Sequence, residues 1–346
     1  MNYRKPFGLT LAVLSLTLAI LACSFPLISG APVISPVNPP AGVTIAPGAA
    51  NPPPEIASPT NTSLPPVVHT MIPAEITLSG TKLFDADCAG TGAEHRAPYQ
   101  DSYKLNRFER PFTQADMTYL PDIDILHFRI TDDANWFYVF IELIGSNPNN
   151  NDLKPIFGVE LDLDRDGHGD NLIWAQTPLS TQWTTDPVKV YADSNNDTGG
   201  ASPERSDAPY PGNGYDTIIF DRGYGNDPDL AWVRIDPLNP TVVAFAFKRT
   251  LAGRSFMWGV WADAGLKDPT RFNYNDRYTE VEAGSSVRDN KNYPIKALYA
   301  MDNTCRSAFG FKPNGYEPLL CPTEEPKPSK GTPTAVPPPP PVPPPP

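Results

Sequence analysis

Histidine and cysteine are scarce in this chain: four of each stand among 346 residues. The histidines, His69, His95, His127 and His168, are scattered, and no His-x-x-x-His or Cys-x-x-Cys occurs. A zinc site of ordinary spacing is therefore not expected. The sequence has no Gly-x-Ser-x-Gly, no His-Glu-x-x-His and no phosphate-binding glycine loop, so the common hydrolase and nucleotide signatures are missing. Basic residues are outnumbered, 27 against 39 acidic ones, for a formal net charge of −12. Such a surface repels nucleic acid and anionic headgroups. No apolar segment keeps a 3.6-residue period over three turns, which argues against a helical bundle. "PIKALYAM" (294–301) is the one stretch expected to form a short helix.

Proline, by contrast, is abundant, with 44 residues, most of them before position 75 or after 321. The stretch 23–73 carries Pro, Ala, Ser and Thr with a single acidic residue, Glu55, and reads as a linker biased to polyproline II. At about 3.1 Å per residue such a linker reaches up to ~150 Å. The tail 322–346 has the same character, either an inert spacer or a ligand for a proline-binding groove. Ahead of the linker, Arg4 and Lys5 precede an apolar run from Phe7 to Leu21, shorter than the roughly 20 residues of a membrane span. It has the size of a signal-peptide core, which makes 1–22 a signal segment. Its end, Ile20-Leu21-Ala22-Cys23, resembles the lipobox of bacterial lipoproteins, with the preferred Leu one place late. That resemblance implies that Cys23 is acylated and becomes the mature N-terminus, anchoring an extracytoplasmic protein to the membrane through lipid alone. An ordinary secretory signal, with Cys23 incidental, is the alternative. Ser24 follows the cysteine, so the Asp that retains some lipoproteins in the inner membrane is absent.

Residues 74–321 have a β pattern. "IDILHFRI" (123–130), "WFYVFIEL" (136–143), "IFGVELDL" (156–163), "NLIWA" (171–175), "VKVYAD" (188–193), "DTIIF" (216–220), "LAWVRID" (230–236), "TVVAFAFK" (241–248) and "FMWGVWAD" (256–263) are short and rich in aromatic and β-branched residues. "TDDAN" (131–135) joins the first two as a hairpin turn. The expected fold is all-β, an antiparallel sandwich with long loops, flanked by disordered proline-rich segments.

The densest chemical signal is "ELDLDRDGHGDNLIWA" (160–175). Asp162, Asp164, Asp166 and Asp170 occupy relative positions 1, 3, 5 and 9, with Gly167 at 6. Alternate carboxylates converge on one centre, the glycine permits the tight turn, and the His168 carbonyl can complete an oxygen shell. Without a cation these groups repel one another. Ile173 stands where an EF-hand has Glu, and the flanks are strands, so the loop is not an EF-hand. It resembles instead the D-x-D-x-D-G-x-x-D calcium loops between strands of integrin-type propellers, which implies bound Ca2+. A solvated acidic hairpin is the bland alternative. Asp193, Asn195 and Asp197 repeat the alternation more loosely, as a second metal set or a plain turn, because Thr198 replaces the glycine. Asp221, Asp227 and Asp229 lack regular spacing and read as a turn.

With Cys23 acylated, Cys88, Cys305 and Cys321 remain, and an exported chain permits disulfides. The local pair Cys305–Cys321 is preferred, and Cys88–Cys305 stays open. Five tryptophans lie in apparent strands, whereas Trp183 has polar neighbours. It is either a loop anchor or a platform on which a sugar ring stacks.

The run "PDIDILHFRITDDANWFYVFIELIG" (121–145), followed by the acidic hairpin, resembles the extracellular sandwiches of the DOMON and family-9 carbohydrate-binding group. The likeness covers about 120–263 and implies a β-sandwich, structural calcium, and glycan binding or a haem. No sugar-contacting residue carries over, and Met117 with His127 is the only nearby pair for a haem. The expected function is a surface lipoprotein displaying a calcium-stabilised binding module for extracellular polysaccharide. A module binding an envelope protein, for adhesion or scaffolding, is the alternative. A glycosidase using paired carboxylates ranks last, since their separation is not legible in sequence.

Overall fold

Most strands of this chain carry apolar side chains on both faces, and the fold buries both. The computed structural model describes residues 65–145, 153–177, 179–199, 212–274, 277–287 and 295–322. Segment 1–22, Cys23, most of the linker and the tail beyond Pro322 lie outside them. The chain is all-β. In order the strands are β1 (Leu83–Phe84), β2 (Glu109–Arg110), β3 (Ile125–Asp132), β4 (Trp136–Leu143), β5 (Ile156–Asp162), β6 (Asn171–Gln176), β7 (Val188–Ala192) and β8 (Thr217–Asp221). There follow β9 (Tyr224–Gly225), β10 (Ala231–Ile235), β11 (Val242–Lys248), β12 (Phe256–Asp263), β13 (Met301–Asn303) and β14 (Ser307–Phe309). Among the described residues the α-helices are two of four residues each, α1 (Arg249–Ala252) and α2 (Glu280–Ala283).

Two antiparallel sheets result. One has the order β1-β3-β4-β11-β10, and the other β2-β13-β12-β5-β6-β7-β8-β9 with β14 beside β12. The sheets pack face to face. Phe137, Val139 and Ile141 of β4 and Phe245 and Phe247 of β11 meet Val159 and Leu161 of β5 and Trp258 and Val260 of β12. Side chains alternate across a strand, so the intervening residues face outward. These too are buried. Trp136, Tyr138 and Phe140 are covered by Ile76, Leu78 and Trp183. On the other outer face, Leu172, Trp174 and Trp261 pack under Phe272, Tyr274 and Leu298. Long loops therefore act as outer layers, which is why the strands read as near-continuous apolar runs rather than alternating ones.

All nine strands expected from the sequence are present, and the "TDDAN" turn joins β3 to β4. Asp133 shapes that turn, accepting from the N–H groups of Asn135 and Trp136 at 2.8 Å. Three expectations change. "PIKALYAM" forms no helix over its described residues. Lys296 and Ala297 donate instead to the carbonyls of Ala283 and Glu282, and Met301 enters β13. The short strands β1, β2, β9, β13 and β14, two or three residues each, were too brief to carry a period.

The third change is the linker boundary, because residues 65–73 are fastened to the sandwich. Asp229, fully buried, accepts from Thr70 N–H and Met71 N–H at 3.0 and 2.9 Å and from the Thr70 hydroxyl at 2.9 Å. His69 Nδ1 lies 2.8 Å from its other oxygen. Proline-rich composition hid this attachment, which depends on one distant carboxylate.

Candidate metal centre

The acidic loop connects β5 to β6 in the middle of the larger sheet. Leu161 and Asn171 form the last cross-strand pair before it, and Asp162 closes β5 opposite Met257. Strand geometry thus fixes Asp162, and the turn must bring the other carboxylates back toward it. Arg165 and Gly167 both adopt positive φ, 69° and 100°, the second suited to glycine. Asp162 Oδ1 accepts from Arg165 N–H at 2.6 Å and Oδ2 from Gly167 N–H at 3.1 Å. Asp170 Oδ2 accepts from Leu163 N–H at 2.5 Å. One ligand oxygen from each of Asp162, Asp164 and Asp170 then lies within 4.8 Å of the others. Three oxygens that close together could hold one cation.

Asp166 is not part of that group. Its Oδ1 accepts from His168 N–H at 2.8 Å and its Oδ2 from Asn196 Nδ2 at 3.0 Å. The expected fourth carboxylate therefore serves to tie the loop to its neighbour. The His168 carbonyl faces Arg306, whose Nη1 lies 3.5 Å away.

Beneath the loop is a buried charge network that sequence reasoning missed. Arg306 is 2% exposed and contacts Asp162 Oδ2 at 2.7 Å and Glu160 Oε2 at 3.2 Å. Glu160 also accepts from the Tyr215 hydroxyl at 2.6 Å and Asn273 Nδ2 at 3.0 Å. Gly169 makes room for this arrangement, since a Cβ there would lie 1.8 Å from the Tyr215 oxygen. Burial pushes Asp162 up to about 6, despite the Arg306 guanidinium and two backbone donors. Burial also raises Asp170. Asp166 sits below its ordinary value: burial acts to raise it, but the donors from Asn196 and His168 prevail. A signal for Glu160 was present, as a carboxylate at an outward position of an otherwise apolar strand. Arg306 had none, being 144 residues from Asp162.

The second acidic set lies beside the first, on the loop after β7. Gly169 N–H donates to the Thr198 carbonyl and Asp193 N–H to that of Asp170, both at 3.0 Å. Asp193 accepts from Asn195 N–H at 3.1 Å and Thr198 N–H at 2.6 Å. Asp197 accepts from Asn213 N–H, Gly214 N–H and Asn195 Nδ2 at 2.8–2.9 Å. Among the described residues no third acidic, histidine or cysteine ligand joins Asp193 and Asp197. Here the carboxylates hold backbone, as in a turn. Asp221, Asp227 and Asp229 serve three separate contacts, to Lys189 and Arg222, to Lys248, and to residues 69–71.

The sulfur and aromatic residues also find their places. Cys305 and Cys321 form a disulfide, and Cys88 is free and buried. Cys23 lies outside the described residues. Trp183 is a loop anchor: its indole N–H donates to the Ala74 carbonyl at 3.2 Å, and the Arg234 guanidinium covers its ring at 4.5 Å. The other five tryptophans are buried. Met117 packs with Cys88, Ala97, Phe112 and Ile295, whereas His127 lies on β3 beside Glu142 and Phe84. An open cleft of about 580 Å³ presents polar and apolar surface in equal part, with Ser180, Thr184, Asp186, Pro187, Lys189 and Arg222 among its lining residues. Among the described residues no helix is long and apolar enough to cross a membrane. Compared with known protein families, curated proteins and solved structures, the chain matches none.

Proposed function

We propose that this chain is an extracytoplasmic lipoprotein, anchored through Cys23, that displays a calcium-braced β-sandwich as a binding module. The observation that carries the reading is the convergence of Asp162, Asp164 and Asp170 within 4.8 Å on a loop already shaped by backbone donors. Calcium there joins the ends of two central strands and offsets carboxylates that otherwise repel. With a dissociation constant of about 10⁻⁵–10⁻⁴ M and about 10⁻³ M calcium outside the cell, linkage gives roughly 1.4–2.7 kcal/mol. The loop carboxylates are engaged in holding backbone and Arg306, a structural use that favours binding over catalysis. For the ligand, the cleft around Ser180 and Thr184 offers hydroxyl, amide and charged groups beside apolar surface, a mixture able to take a hydroxyl-rich polysaccharide. A protein ligand in the envelope is the second reading, favoured by Trp183 being used beneath Arg234 rather than as a stacking platform.

A glycan array run with calcium and with EDTA tests this. Retention of one polysaccharide class, weakened by Ser180→Ala with Thr184→Ala, supports the glycan reading. Silence across the array by folded protein favours the protein ligand. A melting temperature that EDTA leaves unmoved, in protein verified to be metal-free, removes the calcium brace. Mass spectrometry of the N-terminal peptide decides the anchor, by the presence or absence of acyl chains on Cys23.

A further inference from the structure

Four carboxylates are sealed together where the two sheets meet, far along the chain from the acidic loop. Asp85 follows β1, Glu109 lies on β2, Asp124 precedes β3 and Asp302 lies on β13. Asp85 is 8% exposed and the other three 0%. Glu109 and Asp302 are direct cross-strand partners, a placement that puts like charges face to face. Among the described residues, no Lys, Arg or His forms an ion pair with any of the four.

Their hydrogen bonding follows one pattern. Each carboxylate has one oxygen held by a donor: Asp85 Oδ1 by Ala86 N–H at 3.0 Å, Asp302 Oδ2 by Ile125 N–H at 2.6 Å. Asp124 Oδ2 takes Cys88 N–H at 2.9 Å and the Tyr119 hydroxyl at 2.5 Å, and Glu109 Oε1 takes the Cys88 thiol at 3.1 Å. The second oxygen of every one, Asp85 Oδ2, Glu109 Oε2, Asp124 Oδ1 and Asp302 Oδ1, is buried without a partner. Four orphaned acceptors in one place would cost more than a fold ordinarily bears. Yet a carboxylate with one oxygen fixed and the other open is oriented as a ligand is. One ligand atom each from Asp85, Glu109 and Asp302 lies within 4.8 Å of the other two, and Cys88, Glu109 and Asp124 make a second such group.

The geometry points to a buried site for one hard divalent cation of calcium's size, held by Asp85, Glu109 and Asp302 with Asp124 alongside. Oxygen ligands spanning up to 4.8 Å suit bonds of 2.3–2.6 Å. The Cys88 thiol donates to Glu109 and stays outside the shell, so a soft metal is not favoured. One dication offsets two of the four charges, and the buried Arg107 guanidinium acts on Asp85 as well. Burial acts to raise all four carboxyls, the sign of a cluster that is costly as bare charges without a counter-ion. Because β1 and β3 belong to one sheet and β2 and β13 to the other, the ion would clasp the two sheets together.

The test must separate this ion from one in the 162–170 loop. The mature chain is prepared with the loop disabled by Asp164→Asn and Asp170→Asn, saturated with calcium, and its bound metal counted by native mass spectrometry. One retained calcium is expected, with a melting midpoint about 5–10 °C above the chelated protein. Adding Asp302→Asn should abolish both, while leaving the chelated protein at least as stable, because a buried charge has been removed. A purely structural carboxylate predicts the reverse, a loss of stability with or without calcium. No bound calcium in the loop-disabled protein overturns the proposal, whether or not the loop itself binds. So does zinc that Cys88→Ser removes, or calcium that survives Asp302→Asn. Should Asp302→Asn not fold, Glu109→Gln is read by the same criteria.

Discussion

Replacing Arg306 by methionine is the sharpest perturbation of the acidic loop. The guanidinium is 2% exposed and contacts Asp162 at 2.7 Å and Glu160 at 3.2 Å, both carboxylates also buried. Methionine fills similar space without the charge. Removing one partner of a buried ion pair costs about 3–5 kcal/mol, because the other charge is left uncompensated. That is a large share of a domain stability of roughly 5–15 kcal/mol. The midpoint should fall by about 6–20 °C for a domain of this size. The loss should be greatest in chelator. A dication near Asp162 takes over part of the guanidinium's task, so Arg306→Met should bind calcium about tenfold more tightly and recover ~1.4 kcal/mol. Urea unfolding followed by tryptophan fluorescence, in EDTA and in millimolar calcium, measures both quantities. A loss under about 1 kcal/mol would show that the buried pair contributes little. A calcium affinity equal to wild type would show that Arg306 and the ion do not share Asp162.

Two further substitutions test how the periphery is fastened. Asp229→Ala deprives residues 69–71 of their acceptor and should cost about 2–3 kcal/mol, with faster proteolysis between 65 and 73 as the direct readout. Acid should do the same: burial acts to raise the Asp229 carboxyl, but the donors from Thr70, His69 and Met71 hold it below its ordinary value of 3.8. The stability it contributes is therefore present above that pH and lost as pH falls through the lowered value. Unchanged cleavage in the variant would show that the segment is held by other contacts. Cys305→Ser with Cys321→Ser opens a bridge between residues 16 apart and should lower stability by about 3 kcal/mol, as should reduction of the wild type. Equal melting of oxidised and reduced protein would refute this.

The long strands were legible because most are apolar on both sides and end at or near Asn, Asp, Gly or Pro. "WFYVFIEL" became β4, buried at seven of its eight positions, since both sheet faces are covered. The acidic loop was legible as a local spacing, and Asp162, Asp164 and Asp170 do converge. What spacing could not reveal is that the backbone and Asn196 compete for Asp166, or that Arg306 arrives from the far end of the chain. The buried carboxylates were invisible for the same reason. Asp85, Glu109, Asp124 and Asp302 belong to four separate stretches, two of them on strands of two and three residues. Sequence periodicity reports which face a residue occupies, not which distant residue shares that face.

The disulfide has a consequence for how the buried charges are held. Arg306 follows Cys305 directly, and its backbone pairs with Leu319 and Cys321 on the far side of the bridge. The bridge and the guanidinium beneath the acidic loop are thus held by the same short stretch of backbone. In the reduced form no covalent tie holds Arg306 close to Leu319 and Cys321, so the bridge contributes to keeping the counter-charge of Glu160 and Asp162 in place.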